Sequence, residues 1–401
     1  MRIGIEACTW SNRRGYGRFL RGLVTAMASA YPQHEITLVA DRYTADAGTF
    51  PAGTKVVAVP TRIQPSEAAS ASSSRSPIDM LRMSWAASRL PVDVFWFPTR
   101  YLFVPLVGRT PIVVTFHDAT PEQRPDLIFP TRRSHLFWRA KTWLALRQAD
   151  RLVTVSADAR AQLAGFLGYQ ESEIGLITEG PDPIFRPLDD ESSRIAARRR
   201  YDLPLDVPLV LYVGGISPHK NLQGLLHAMK LVAQATRAPW HLVLVGDYKG
   251  DSFLGCYQEL VELGRTLDLT DRITFTGYVP DEDLVVLYNT ATMLVLPSLG
   301  EGFGLPVLEA MTCGLPVAVS NRNSLPEVVE SAGILFDPGS HADIAAAIGR
   351  LLSDTPLRQD LRGRGLKRAE HYSWATGART MMGILEEVAQ RRRPSTTARA
   401  R

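Results

Sequence analysis

Short apolar runs rich in valine, isoleucine and leucine alternate with longer segments of helical periodicity along most of the chain. In the first half the apolar runs are residues 2–7, 35–40, 55–59, 92–97, 111–116, 151–156 and 174–178. In the second half they are residues 209–215, 241–246, 272–277, 292–297, 316–320 and 333–336. Strands that are apolar throughout and separated by helices predict parallel sheets that are covered by helices on both faces.

The alternation stops once, at residues 179–193, where the sequence reads EGPDPIFRPLDDESS. Three prolines within seven residues prevent a helix or a central strand there, so we predict a linker. We therefore expect two doubly wound α/β domains, residues 1–183 and 184–372, in a chain of 401 residues. The small polar segment 65–77 is predicted to be a mobile loop of the first domain. A last helix is predicted over residues 373–392, which end in arginines.

Composition places the chain among soluble proteins with a sizeable core, since 45% of the residues are hydrophobic and 21% are charged. Three scattered cysteines are too few for a disulfide framework and indicate a reducing compartment. The first residues lack the apolar stretch of a signal peptide, so we expect a cytoplasmic protein with at most peripheral membrane contact. Basic residues outnumber acidic ones in residues 1–183, which indicates either an anionic partner surface or ordinary solvated charge.

The stretch SLGEGFGLPVLEAM, residues 298–311, has the features of a ligand-binding elbow. It opens a helix near Gly304, and the N–H groups and dipole at a helix N-terminus favour an anion such as phosphate. Gly302 and Gly304 allow the backbone to approach a ligand closely. Glu309 is placed to accept hydrogen bonds from a vicinal diol, and Glu301 to meet a second diol or a developing cation. The alternative is a capped helix with an ordinary exposed acid.

Three other clusters follow predicted strands. In YVGGISPHKN, residues 212–221, Lys220 can reach a diphosphate, but the glycine and the Ser or Thr that a P-loop requires are missing. RRGYGRF, residues 13–19, lacks the third glycine of a dinucleotide-binding motif. TFHDAT, residues 115–120, places His117 and Asp118 at the end of a strand, where the alternative to a functional role is a structural histidine.

Taken in their order along the chain, these motifs resemble the motifs of glycosyltransferase family 4, which consists of retaining enzymes with the GT-B fold. The matching segments are GYGR (15–18), His117–Asp118, VTVSADAR (153–160), the Lys220 loop, FTGYVPDEDL (275–284), EGFGLPVLEAM (301–311) and YSW (372–374). The resemblance implies an α/β protein with two Rossmann-like domains facing each other across a cleft. It assigns the acceptor to residues 1–183 and the nucleotide sugar to residues 184–372, with the last helix packed back onto the first domain.

The resemblance also implies roles for individual residues. Glu309 should hold the ribose hydroxyls of the donor, Glu301 should lie against the donor sugar, and Lys220 should neutralise the leaving diphosphate. The residues whose backbone should bind the sugar and the diphosphate are Gly302, Phe303, Gly304 and Leu305.

The remaining implied contacts come from several loops. Tyr278 should contact the base through its backbone, and Gly215 and Ser217 lie in the strand-end loop that contacts the donor. Gly17 should approach the phosphates, and Gly15 of the same loop is expected to bind substrate. His117, with Asp118 beside it, should contact the transferred sugar, so His117, Glu301 and Lys220 are the expected catalytic residues.

The chain departs from the family pattern at Gly215-Ile216-Ser217, where many relatives have an arginine as a second phosphate cation. Lys220 and the helix amides would then do more of the neutralisation, with Ser217 supplying a neutral hydrogen bond. The acidic triplet Asp281-Glu282-Asp283 begins a helix, where acids are favoured without a metal. We therefore expect no metal and no cofactor, with a nucleotide sugar as co-substrate.

Two alternatives stay open from the sequence: an NAD-dependent oxidoreductase and a non-catalytic nucleotide-sugar binding protein. The acceptor is expected to be a saccharide or a lipid-linked molecule, and no nucleic acid partner is expected. The basic, aromatic segment 129–148 has two readings. It is either an interfacial helix for a lipid-linked acceptor or a domain helix that packs Leu136, Trp143 and Leu144 inward.

Overall fold

A computed structural model describes residues 1–62, 76–129, 131–236, 238–248 and 256–391. The chain divides into two compact units. One comprises Met1–Glu179 together with the chain from Trp374 onward, and the other comprises Gly180–Ser373. The first division falls within the predicted linker, four residues before the expected domain boundary at 183.

Each unit contains one sheet of parallel strands. The first sheet has the order β3-β2-β1-β4-β5-β6-β7. Its strands are β1 Arg2–Glu6, β2 Glu35–Asp41, β3 Lys55–Val59, β4 Val94–Phe97, β5 Ile112–Thr115, β6 Arg151–Thr154 and β7 Ile174–Leu176. The second sheet has the order β10-β9-β8-β11-β12-β13. Its strands are β8 Leu209–Val213, β9 His241–Val245, β10 Ile273–Gly277, β11 Met293–Leu296, β12 Val317–Ser320 and β13 Gly333–Phe336.

Helices connect these strands in both units. The α-helices of the first unit are α1 Gly15–Ala30, α2 Arg42–Ala47, α3 Pro77–Ser88, α4 Thr120–Gln123, α5 Pro125–Ile128, α6 Arg132–Gln148, α7 Ala157–Leu167 and, at the end of the chain, α16 Trp374–Arg391. Those of the second unit are α8 Glu191–Arg200, α9 Leu222–Ala235, α10 Tyr257–Thr266, α11 Asp281–Thr290, α12 Leu305–Thr312, α13 Leu325–Val329, α14 His341–Ser353 and α15 Thr355–Ala369. Short 3₁₀ helices occur at Cys8–Ser11, Arg100–Leu102, Glu171–Glu173, Pro218–Lys220 and Thr270–Arg272.

The predicted strands are confirmed, and their ends differ from the apolar runs by at most two residues. The predicted last helix is observed as α16, Trp374–Arg391. Most of the predicted loop 65–77 lies outside the described residues, as does residue 392. Within the described part of the chain, no helix is both long enough and apolar enough to span a membrane.

The strand order creates one switch point in each sheet. Consecutive strands run outward from β1 on one side and from β4 on the other, and β8 and β11 are related in the same way. Neighbouring loops at such a point leave the carboxyl edge of the sheet in opposite directions, and ligands of open α/β sheets bind there. In each sheet a ligand-binding site is therefore expected at the loops that follow these two strands.

Helix α6 forms most of the segment 129–148, and the prediction that Leu136, Trp143 and Leu144 of this helix pack inward is wrong. These side chains are 66%, 53% and 38% exposed. The inward side of α6 is formed by Trp138, Lys141 and Ala145 instead. Since aromatic residues occur on both sides of this helix, the sequence pattern does not define a unique buried face.

Helices α1 and α16 pack closely because Gly22 lacks a side chain. A Cβ atom at Gly22 would lie 2.3 Å from Cε2 of the Trp374 indole. By contrast, Gly383 on α16 is exposed, and a Cβ atom there would meet open space. Substitution of Gly383 is therefore a suitable control for substitution of Gly22 in a test of how the terminal helix packs.

We predict that Gly22→Ala lowers the free energy of unfolding by about 1–3 kcal/mol, because the added methyl group overpacks the contact with Trp374. Gly383→Ala should stabilise the protein by up to about 1 kcal/mol, since alanine favours a helix interior. Urea denaturation of both variants checks the prediction. Equal stability of the two variants would contradict the close α1–α16 packing.

Candidate functional site

The elbow after β11 has a conformation that requires glycine. Gly304 is the residue before α12 and has φ = +105°, in the left-handed region. A Cβ atom there would also lie 2.7 Å from Cδ2 of Leu325. The Ser324 hydroxyl lies 3.1 Å from the Glu301 carbonyl oxygen and 2.9 Å from that of Phe303. The elbow between Glu301 and Leu305 is thus held in one conformation, with the N-terminus of α12 beginning directly after it.

Lys220 and Glu301 form an ion pair at the switch point of the second sheet. The Lys220 Nζ donates to Glu301 Oε1 at 2.7 Å, and the Ser298 hydroxyl donates to the same oxygen at 2.7 Å. Both charged side chains are mostly buried. Lys220 follows β8 and Glu301 follows β11, so the parallel pairing of these two strands brings the residues together. An ammonium has three N–H donors, and Glu301 accepts from one of them.

Glu309 is a buried carboxylate, with 2% of the residue exposed. It lies on α12, and its Oε2 accepts a hydrogen bond from the Tyr288 hydroxyl at 2.9 Å. A buried carboxylate is costly unless it is hydrogen-bonded, so Tyr288 is part of what allows Glu309 to remain in this position. The alternative of an ordinary exposed acid is therefore wrong for Glu309, and also for Glu301.

The loop after β8 is tied both to its own strand and to the elbow. The Tyr212 hydroxyl donates to the Gly215 carbonyl at 2.7 Å, and Leu299 N donates to the His219 carbonyl at 2.8 Å. The buried Ser217 hydroxyl lies 3.3 Å from Nδ1 of His219. Burial, and next the charge of Lys220, lower the pKa of His219, so its neutral ring leaves Lys220 as the cation of this loop.

Tyr278 and the acidic triplet Asp281-Glu282-Asp283 follow the edge strand of the second sheet, whereas Lys220 and Glu301 follow the strands at its switch point. Tyr278 follows the edge strand β10 and is 38% exposed. Asp283 accepts hydrogen bonds from Arg200 at 2.7 Å and from the Tyr201 hydroxyl at 2.6 Å. Within the described residues there is no group of three or more His, Cys, Asp or Glu side chains that could hold a metal ion.

His117 lies at the carboxyl edge of the first sheet, after β5, and is buried. Its ring packs edge-on against Phe19 and Tyr16 of α1, with centroids 4.7 Å and 4.9 Å away. Its Nε2 is 2.8 Å from the Pro98 carbonyl oxygen. Because a carbonyl can only accept, Nε2 carries the proton of the neutral ring, and Nδ1 is an acceptor that lies 4.0 Å from Glu179 Oε1. Burial lowers the pKa of His117 to about 4.

The two glycines at the start of α1 differ in their surroundings. A Cβ atom at Gly17 would lie 1.8 Å from the Asn12 carbonyl oxygen, whereas one at Gly15 would have no atom within 4 Å. The fold therefore requires glycine at Gly17 but not at Gly15. The roles expected for both in substrate binding stay predictions.

A buried arginine organises the loop that holds Asp118. Arg100 donates to both carboxylate oxygens of Glu122, at 2.9 Å and 2.8 Å, and to the Asp118 carbonyl at 2.9 Å. Its guanidinium lies over the rings of Phe116 and Trp138. Asp118 Oδ1 in turn accepts from Thr120 N at 2.9 Å. Two chemically distinct groups of residues thus result: a charged group in the second unit and a His117-centred group in the first.

Several residues of these two groups were missed from the sequence, namely Ser298, Tyr288, Ser324, Arg100 and Glu122. Ser298 had a usable signal, since it lies three positions before Glu301 in the same elbow. Tyr288 is 21 positions from Glu309, and Arg100 is 22 positions from Glu122. Only the tertiary structure brings these partners together.

Comparison with known proteins identifies the class to which the fold and the charged elbow belong. Residues 193–368 match the family described as glycosyl transferases group 1, and residues 13–184 match glycosyltransferase family 4. The chain is 35% identical over 295 residues to the O-antigen chain mannosyltransferase B of Escherichia coli, covering 73% of this chain and 74% of that protein. The protein is therefore a glycosyltransferase. More narrowly, the chain belongs to glycosyltransferase family 4.

Solved structures show the same fold. Sucrose-phosphate synthase from Thermosynechococcus elongatus aligns with a TM-score of 0.76 at 21% identity, covering 98% of this chain and 100% of that one. The structure of Anabaena HepE in complex with UDP-glucose aligns with a TM-score of 0.72 at 20% identity, covering 96% and 100% of the two chains. The expected GT-B fold, with two Rossmann-like units, is confirmed.

The lowered pKa of His117 predicts a pH-dependent stability. The ordinary pKa of histidine is about 6.5, so between about pH 6.5 and pH 4 the unfolded chain binds a proton that the folded chain does not. The free energy of unfolding should therefore fall as the pH is lowered through this range. His117→Gln keeps a donor for Pro98 without titrating. As the pH is lowered from 7 to 5, the free energy of unfolding of this variant should rise by about 2 kcal/mol relative to that of wild type in denaturant titrations. A difference that does not change with pH would contradict a buried neutral imidazole.

Proposed function

We propose that this glycosyltransferase moves a hexose from a UDP- or GDP-linked sugar to a hydroxyl of a saccharide or lipid-linked acceptor, with retention of the anomeric configuration. The proposal rests on one observation above the others. Lys220 and Glu301 lie 2.7 Å apart directly beside the N-terminus of α12, which places a cation and a carboxylate at a natural anion site.

In this proposal the second unit binds the donor. Lys220 and the amides of Gly302, Phe303, Gly304 and Leu305 bind the diphosphate and the sugar. Glu309, which accepts a hydrogen bond from Tyr288, binds the ribose hydroxyls through its carboxylate. Glu301 both orients Lys220 and contacts the hydroxyls of the donor sugar.

The rest of the donor is bound by the neighbouring strand-end loops. The backbone at Tyr278 contacts the base, while Gly215 and Ser217 lie along the diphosphate. Gly17 at the N-terminus of α1 approaches the phosphates, and Gly15 of the same loop binds substrate. Because the loop lacks a second cation and His219 is neutral, Lys220 supplies most of the side-chain charge that stabilises the leaving group.

The chemical step breaks the bond between the anomeric carbon and the diphosphate oxygen. The acceptor oxygen attacks the same face of the sugar and forms the new glycosidic bond, and its proton passes to the departing phosphate oxygen. Lys220 and the preorganised amides stabilise the negative charge that develops on the diphosphate. His117, held by Pro98 and the Asp118 loop, offers its neutral Nδ1 as an acceptor to a hydroxyl of the transferred sugar.

The relatives support a choice of sugar and acceptor. The name of the E. coli relative describes a mannosyltransferase that acts on the O-antigen chain. We therefore propose mannose as the first sugar to test, with glucose as the second, and a growing polysaccharide chain as the acceptor. The enzyme would act in the cytoplasm, and helix α6 would contact the inner face of the membrane when the acceptor is lipid-linked.

We predict that Lys220→Met lowers kcat/KM for the donor by at least about a hundredfold, since removing one preorganised donor at a developing charge costs roughly 3 kcal/mol. Lys230→Met is the matched control, because Lys230 is an ion-paired lysine on the next helix, away from the elbow. Release of nucleoside diphosphate from a panel of UDP- and GDP-sugars measures both variants. A loss below threefold for Lys220→Met would mean that the diphosphate lies elsewhere. No turnover by wild type with any donor of the panel would contradict transfer from a UDP- or GDP-linked sugar.

We further predict that transfer persists in excess EDTA, because Asp283 is engaged by Arg200 and Tyr201 and because Lys220 is placed for the phosphates. Early-time NMR of the product in chelator should show an α-linkage from an α-linked donor. Loss of activity in EDTA that Mg²⁺ restores would show that a metal shares the diphosphate. A β-linked first product would contradict the retaining mechanism.

A further inference from the structure

The first unit exposes large apolar side chains on one side of its sheet. Helices α3 and α6 cover the same sheet face, since Met83 and Ala87 of α3 and Ala145 of α6 belong to one hydrophobic core with Phe95 and Val114. The outward sides of these two helices contain most of the exposed large apolar residues among those the structure describes in this unit. The main ones are Leu81, Trp85, Leu136, Phe137, Trp143 and Leu144.

The loop at residues 103–110 joins the two helices into a continuous surface. On one side Val107 N donates to the Ser88 hydroxyl at the end of α3, at 2.8 Å. On the other side Gln148 at the end of α6 exchanges two hydrogen bonds with the backbone of Leu106, each 3.0 Å long. The Val107 side chain is 79% exposed between them. We call the outward sides of α3, α6 and this loop the α3–α6 face.

The charge on the α3–α6 face has one sign. Its exposed charged side chains are arginines: Arg82, Arg89, Arg109, Arg132, Arg139 and Arg147 are among them. Helix α6 and the loop contain no acidic residue. Asp79 of α3 is buried and pairs with Arg82, so it does not add an exposed negative charge.

The two helices repeat the same local arrangement. At the C-terminal end of α3 the guanidinium of Arg89, the residue after the helix, lies 4.1 Å from the centroid of the Trp85 ring, four residues earlier. In α6 the guanidinium of Arg147 lies 4.5 Å from the centroid of the Trp143 ring, again four residues earlier. Tryptophan combined with a long cationic side chain suits the boundary between acyl chains and headgroups, where the ring is buried and the charge reaches phosphate.

We propose that the α3–α6 face binds an anionic lipid bilayer, with α3 and the Val107 loop acting together with α6. This goes beyond the single-helix contact included in the proposed function. The apolar side chains would enter the headgroup boundary and the arginines would bind lipid phosphates. Two helices and a loop give a broad contact, so neither helix alone should account for the binding.

Charge and apolar character together favour this occupant over others. A second copy of the same face would bring like charges together, which opposes self-association. A nucleic acid would match the arginines but would leave Leu81, Val107 and Leu136 without an apolar environment. An anionic membrane surface matches both features.

The test is sedimentation of the purified full chain with vesicles of phosphatidylcholine, with or without about one third phosphatidylglycerol. The first variant is Leu81→Glu/Trp85→Glu on α3, and the second is Leu136→Glu/Trp143→Glu on α6. Leu231→Glu is the control, since Leu231 is an exposed leucine on α9 of the other unit. Wild type and control should bind the anionic vesicles, and each double variant should lose at least about tenfold in affinity. Binding should also weaken as salt is raised.

Several results would overturn the proposal. These are no preference for anionic vesicles, an effect of the α6 variant without an effect of the α3 variant, binding of RNA in place of vesicles, or self-association that the same variants abolish. Circular dichroism establishes that each variant is folded. Nucleoside diphosphate release with a soluble acceptor is measured on the same samples, and both double variants should retain it. Vesicle binding without any turnover would leave this proposal standing and overturn the proposed function instead.

Discussion

The ion pair between Lys220 and Glu301 depends on the order of the strands in the second sheet. These residues are 81 positions apart and meet because β8 and β11 are parallel neighbours at the switch point. Their charges are mostly removed from water, so each stabilises the other, and loss of one would leave the other poorly compensated. The left-handed Gly304 then turns the chain into α12, whose N-terminus lies beside the pair. The rest of the elbow, including the bonds from Ser298 and Ser324, keeps this arrangement in place.

The residues at the carboxyl edge of the first sheet differ chemically from those at the carboxyl edge of the second. Here the strand-end residue is a neutral histidine, and the nearby charge is the buried pair of Arg100 and Glu122. Arg100 binds the Asp118 carbonyl, so a fully engaged cation positions the loop without presenting its charge to a ligand. Burial of His117 favours its neutral form, which can accept a hydrogen bond from a sugar hydroxyl. The strand-end residues of the two units therefore differ in charge: an ion pair in the second unit and a neutral imidazole in the first.

The sequence predicted the fold well because hydrophobic periodicity and the residues that end helices and strands, such as proline and glycine, are local properties of the chain. Every strand within the described residues was found, and the run 209–215 was too long only because Gly214 and Gly215 continue the apolar pattern into the loop. The elbow residues were also found, since glycines and acids in a short stretch are visible without a structure. The pairing of Lys220 with Glu301 was not found, because strand order is a tertiary property. The inward face of α6 was missed for a related reason: tryptophans lie on both sides of this helix, and only the packing shows which one is buried.

Helix α6 connects the proposed lipid surface to the His117 region within the same unit. Its inward side places Trp138 against Glu122, with a 3.1 Å hydrogen bond, and Lys141 donates to the Tyr101 carbonyl. Tyr101 packs against Tyr16, which packs against His117. The outward side of the same helix presents Leu136 and Trp143, so one rigid element serves both surfaces. A helix held by a buried ion pair cannot shift freely when its outer side meets a bilayer. The contacts therefore favour a membrane surface that orients the first unit as a body, rather than one that rearranges the residues around His117.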